Sequence, residues 1–109
     1  MTVTLEPALE ETAHALGYQS AVDFARIELR SRAAQRVAYF QGRVDLYEQK
    51  YGMLFDEFME HIPNWEDSAL KRFGIIEKED DSMEWESSLH SLRFYQQQLD
   101  SLSDGISAA

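Results

Sequence analysis

The densest group of ionisable side chains in this 109-residue sequence is an acidic cluster near position 80, which surrounds a tryptophan. Its members are Glu77, Glu79, Asp80, Asp81, Glu84, Trp85 and Glu86, with Lys78 as the only basic residue among them. An aromatic anchor ringed by charge is typical of a site for a basic partner. The sequence therefore predicts a partner-binding segment here. A second interpretation is that Trp85 is a core residue of the last helix and the acids form a solvated loop and a charged first turn, and both interpretations can hold at once.

The acidic cluster belongs to an uneven distribution of charge along the chain. Residues 1–50 hold 6 basic and 7 acidic side chains, a net charge of −1, and residues 51–109 hold 4 and 13, a net charge of −9. The two halves together give the total of −10. Such a field repels phosphate, which argues against non-specific binding to nucleic acid. The second half is suited to meet a basic surface.

Catalytic and metal-binding patterns are missing from the sequence. There are no cysteines, so disulfides, thiolate metal sites and cysteine nucleophiles are excluded. Glu57 and His61 stand one helical turn apart, but two ligands do not make a metal site. No glycine-rich phosphate loop and no nucleophile elbow is present. We therefore expect no enzymatic activity, no cofactor and no bound metal.

The spacing of apolar residues predicts a mainly α fold that follows a short N-terminal strand. Alternation over residues 2–6 predicts the strand, with Thr2, Thr4 and Glu6 on its outer face. A first helix is predicted over 7–16, ended by Gly17. Ser20 is expected to cap a long amphipathic helix over 20–50, ended by Gly52. We expect this helix to need a partner for its apolar stripe, and a second copy of the chain is the simplest one.

The second half is predicted to contain shorter helices and one long terminal helix. Apolar residues between 55 and 62 predict a short helix stopped by Pro63. Residues 75–81 are expected to be extended or loop-like. The last helix is expected to begin near Ser82 and to carry Trp85 on its apolar face, with residues 103–109 as a frayed tail.

The arginines of the long helix offer a second candidate surface. Arg26 and Arg30 lie one turn apart, whereas Arg32, Arg36 and Arg43 form a second stripe. These side chains could form a nucleic-acid patch. The alternative is a solvated face that pairs with neighbouring acids.

The N-terminal half resembles the ribbon-helix-helix family in its order of strand, helix, glycine turn and second helix. Residues 16–24 (LGYQSAVDF) look like that family's turn and second-helix start. The resemblance implies a homodimer whose paired strands enter the major groove of DNA. Thr2 and Thr4 would then face the bases, Ser20 would mark a phosphate-binding helix start, and Arg26 and Arg30 would assist. The strand carries no basic residue, so a ribbon that only dimerises is the alternative.

The second half resembles small prokaryotic antitoxin-like proteins. Residues 50–58 (KYGMLFDEF) and 80–86 (DDSMEWE) carry the likeness, although Leu54 stands where a Ser or Thr usually caps the next helix. The resemblance implies that the acidic segment neutralises a small basic toxin by covering its surface. We thus expect a dimerisation module over 1–50 and an acidic partner-binding segment over 51–109, with operator DNA as a further partner. A non-catalytic scaffold dimer and a DNA-binding regulator are the alternatives.

Two further observations bear on the cellular location. No apolar run approaches the roughly 18–20 residues that a membrane-spanning helix requires. The N-terminus has neither a basic nor an apolar signal region. We therefore expect a cytoplasmic protein without a membrane partner.

Overall fold

The computed structural model describes residues 6–62 and 70–107, and this part of the chain contains four helices. They are α1 (Pro7–Ala15), α2 (Ala21–Tyr51), α3 (Phe55–His61) and α4 (Ile75–Ser107). The prediction of a mainly α fold is confirmed. Apart from Glu6, the predicted N-terminal strand lies outside the described residues, so the ribbon-helix-helix module stays a prediction.

The long helix α2 begins and ends where the sequence predicts. Ser20 adopts an extended conformation, and its hydroxyl accepts a hydrogen bond of 3.0 Å from the Asp23 N–H. This bond satisfies one of the free amides of the first turn. At the other end Gly52 has φ 68°, a left-handed conformation that glycine adopts without steric cost.

The two long helices, α2 and α4, form an antiparallel hairpin measuring 66 × 22 × 22 Å with the short helices at its ends. We call the end where α2 stops and α4 starts the closed end, and the end that holds the start of α2 and the finish of α4 the open end. Lys50 contacts Asp81 at the closed end, whereas Leu29 and Leu102 line one groove near the open end.

The apolar stripe of α2 is covered by the same chain along much of its length. Val44, Tyr47 and Tyr51 are buried at the closed end, in contact with residues of α3 and α4. The C-terminal half of the stripe is therefore buried within the chain itself, and the homodimer stays a prediction. Toward the open end Val22 and Leu29 remain more than half exposed.

The start of α4 differs from the prediction. The helix begins at Ile75 instead of near Ser82, so residues 75–81 are helical, and it continues through Ser107 instead of fraying after 102. Five acidic residues between 77 and 84 would repel one another in an isolated helix. Basic side chains of α2 pair with three of them, and this pairing favours the helical conformation.

The main hydrophobic core lies at the closed end. It contains residues from both the predicted dimerisation module over 1–50 and the predicted partner-binding segment over 51–109. Its buried members are Val44, Tyr47, Tyr51, Phe58, Leu70, Trp85 and Leu92. Helix α3 closes this end because the Phe58 ring packs 5.1 Å from the indole of Trp85. At the open end α1 packs on the start of α2, where the Tyr18 and Phe24 rings meet edge to face at 5.0 Å.

Candidate partner-binding face

The acidic cluster is divided by helix α4 into an inner and an outer group. Glu77, Asp81 and Glu84 face α2 and form ion pairs with it. Glu79, Asp80 and Glu86 lie on the opposite side and are exposed. The division follows from the helical repeat, since residues four and seven apart share a face and residues two apart do not.

The inner acids surround Lys50. Its Nζ lies 2.6 Å from both the Glu77 carboxylate and the Asp81 carboxylate. The Tyr51 hydroxyl also donates to Asp81, at 2.5 Å. Two turns further into the hairpin, Arg43 pairs with Glu84 and donates to the Tyr47 hydroxyl at 3.1 Å. These contacts tie the first three turns of α4 to the last three turns of α2.

The Lys50 network shifts the protonation of its members. Hydrogen bonds to Asp81 and Glu77 raise the pKa of the Lys50 ammonium well above its ordinary value. Burial, followed by the hydrogen bond to Asp81, raises the pKa of the Tyr51 hydroxyl. The hydrogen bond from Lys50 lowers the pKa of the Glu77 carboxyl. All three groups therefore keep their neutral-pH charge states over a wider range of pH than usual.

Trp85 lies on the inner face of α4 and is fully buried. Its ring packs against those of Tyr47 at 5.7 Å, Phe55 at 5.3 Å and Phe58 at 5.1 Å. The indole N–H has no hydrogen-bond acceptor among the described residues. In this conformation the tryptophan cannot touch a partner, and of the two sequence interpretations the core position matches the structure.

The outer acids share their face with two exposed apolar side chains to which no sequence pattern points. Ile76 is 74% exposed and Met83 is 70% exposed. They are seven residues apart, so they lie on one stripe of α4, with Glu79, Asp80 and Glu86 beside them. We call these five residues the acidic face. Their spacing was visible in the sequence, but it carries no meaning until residues 75–81 are known to be helical.

The acidic face has no internal counter-ion. Within residues 6–62 and 70–107, no basic side chain forms an ion pair with Glu79, Asp80 or Glu86. The hydrophobic core packs against the other side of α4 and fixes the helix that carries these three carboxylates. Fixed carboxylates around exposed apolar groups can bind a surface of the opposite charge with little ordering cost.

The start of α2, which is predicted to hold a phosphate of DNA, is already occupied by side chains of the chain itself. Thr2 and Thr4 lie outside the described residues. At the start of α2, Ser20 accepts the Asp23 amide, and the Ala21 amide donates to the Glu10 carboxylate at 3.2 Å. Two carboxylates, those of Glu10 and Asp23, thus lie at this helix terminus, and they would repel a phosphate.

Arg26 and Arg30 differ in their exposure. Arg26 is half-buried, whereas Arg30 is exposed and lines an open groove of about 520 Å³ with Ile27, Ala34 and Leu99. That groove contains no second arginine. The nucleic-acid patch stays a prediction.

Neither a metal site nor a membrane segment is found in the described part of the chain. No three His, Asp or Glu side chains there converge on a point where they could hold a metal ion. None of the helices found there combines the length and apolarity needed to cross a bilayer. The chain matches no known protein family, no curated protein and no solved structure.

Proposed function

We propose that this chain is a non-catalytic, antitoxin-like protein that binds a small basic protein through the acidic face of α4. The observation that carries the proposal is the exposure of Glu79, Asp80 and Glu86 beside Ile76 and Met83, on a helix anchored by the core. Carboxylates would steer and orient the basic partner, and the two apolar side chains would supply contact area. Binding would neutralise the partner by covering its cationic surface.

Trp85 and the inner acids have a supporting role in this proposal. Trp85 fixes the inner side of α4, and Lys50 and Arg43 neutralise the inner carboxylates. The outer carboxylates remain for the partner. Only three of the acids that the sequence assigns to partner binding, Glu79, Asp80 and Glu86, are therefore proposed to contact the partner. Ile76 and Met83 join them as apolar contacts.

If a small basic protein is encoded beside this gene, a charge-reversal experiment in cells that express that protein tests the proposal. The test variant is Glu79→Lys/Asp80→Lys/Glu86→Lys. The control is Glu11→Lys/Asp45→Lys/Asp100→Lys, which reverses three exposed acids elsewhere. Each reversal adds two charges, so both variants move the net charge from −10 to −4.

The wild type and the control should restore growth and form a complex with the basic protein. The test variant should bind about 100-fold more weakly, on the basis of about 1 kcal/mol for each reversed charge. Equal rescue by both variants would refute the role of the acidic face. If the protein encoded beside this gene is harmless to the cell and does not bind this chain, the result would favour the alternative of a scaffold dimer.

A further inference from the structure

One edge of α2 carries basic residues at three positions seven apart, Lys50, Arg43 and Arg36, and carboxylates of α4 pair with the first two. Lys50 pairs with Glu77, and Arg43 pairs with Glu84. Both series step by seven residues in opposite directions, as expected for two antiparallel helices that stay in contact. The series on α2 continues to Arg36, and the series on α4 continues to position 91.

The third position of this series lacks its carboxylate. Residue 91 is a serine, and no acidic side chain of the described residues pairs with Arg36. A groove of about 380 Å³ opens beside Arg36 instead, lined among others by Leu29, Arg32, Tyr95 and Leu102. A cation here faces apolar and aromatic walls.

The same edge of α2 also presents three apolar side chains that remain more than half exposed. Leu29 is 57% exposed, Tyr39 is 58% exposed and Leu46 is 52% exposed. Positions 29, 32, 36, 39, 43 and 46 follow steps of three and four, the repeat of a helix-packing seam. We call this surface the arginine seam. It carries three apolar side chains and three arginines, of which Arg32 already pairs with Glu28 and Arg43 with Glu84.

We propose that the arginine seam binds an acidic amphipathic helix of a partner protein. The apolar side of that helix would cover Leu29, Tyr39 and Leu46, and its carboxylates would pair with Arg36, since Arg32 already pairs with Glu28 at 3.2 Å. Helix α4 shows the same arrangement within the chain, because its acids pair with the two preceding basic residues of the series. The arrangement extends the hairpin to a three-helix bundle along its open half.

Charge selects this occupant over two others. A second copy that packed its own seam against this one would bring Arg32 and Arg36 of both copies together, and like charges in contact oppose association. A nucleic acid would meet a groove with largely apolar walls, in which, among the described residues, Arg36 alone offers an unpaired charge for its many phosphates. An acidic amphipathic helix satisfies both Arg36 and the apolar walls.

Two synthetic helices of 21 residues provide the probes for a test on the full chain. Both have leucine at heptad positions a and d, and they carry either glutamate or glutamine at the flanking positions. Fluorescence anisotropy at low and high salt measures their affinities. The glutamate probe should bind at least tenfold more tightly than the glutamine probe, and the difference should shrink as salt rises.

The Arg36→Glu variant should abolish that preference, and Arg36→Gln should reduce it. The control is Arg93→Glu, which makes the same change at an exposed position of α4 and should leave both affinities within twofold. Equal binding of the two probes, or equal effects of the Arg36 and Arg93 variants, would overturn the proposal. Displacement of the glutamate probe by a single-stranded oligonucleotide of 20 bases would overturn it in favour of nucleic acid. None of these measurements involves the acidic face, so they can fail independently of the proposed function.

Discussion

Replacing Trp85 by alanine separates a structural role of this residue from a direct role in binding. The side chain is fully buried and packs against the rings of Tyr47, Phe55 and Phe58. Removing a large buried aromatic side chain costs about 3–5 kcal/mol, because the cavity that it leaves is only partly refilled. A chain of this length has a total stability of roughly 5–15 kcal/mol, so the variant should lose a large part of it.

Urea denaturation followed by circular dichroism measures this loss. The control is Tyr39→Ala, which removes an aromatic side chain that is 58% exposed and should cost less than about 1 kcal/mol. Trp85→Phe should cost less than Trp85→Ala, since it keeps a ring and removes a buried N–H without an acceptor among the described residues.

Partner binding distinguishes the two roles of Trp85. If the tryptophan is a core residue, Trp85→Ala should weaken binding only as far as it unfolds the protein, and binding should recover at low temperature. A variant that keeps its full stability and still loses the partner would refute this reasoning. That result would restore Trp85 as the contact residue that the sequence pattern predicts.

Three other predictions concern stability. Because the pKa values of Lys50 and Tyr51 are raised, the contribution of these two groups to the free energy of unfolding is complete below about pH 10 and is lost as the pH rises further. Urea titrations should therefore show a decline of the free energy of unfolding above that pH. The Lys50→Met variant should show a smaller decline. Ser20→Ala removes the side-chain acceptor at the start of α2 and should cost about 1 kcal/mol, measured by thermal denaturation. Gly52→Ala forces a side chain into the left-handed conformation at φ 68° and should cost about 1 kcal/mol in the same assay, whereas an equal or higher melting temperature would contradict that strain.

Local rules were sufficient for α1 and α2. A proline in the first turn, a serine cap and glycines after each helix are effects within a few residues, so the sequence shows them directly. The same rules failed at residues 75–81. A run of like charges destabilises an isolated helix through repulsion. Here the repulsion is offset by ion pairs with Lys50, which is more than 20 residues away in the sequence.

The candidate site shows the same limit. Composition identified the acidic cluster but could not divide it, because the division depends on which side of α4 meets α2. The sequence by itself determined a helical chain with an acidic second half and a long amphipathic helix, since periodicity, caps and charge are properties of neighbouring residues. The tertiary structure alone decided that Trp85 is buried, that Glu77, Asp81 and Glu84 are paired and that Glu79, Asp80 and Glu86 face solvent. Burial and ion pairing are made between helices, and only the packing of α2 against α4 assigns each side chain to one side or the other.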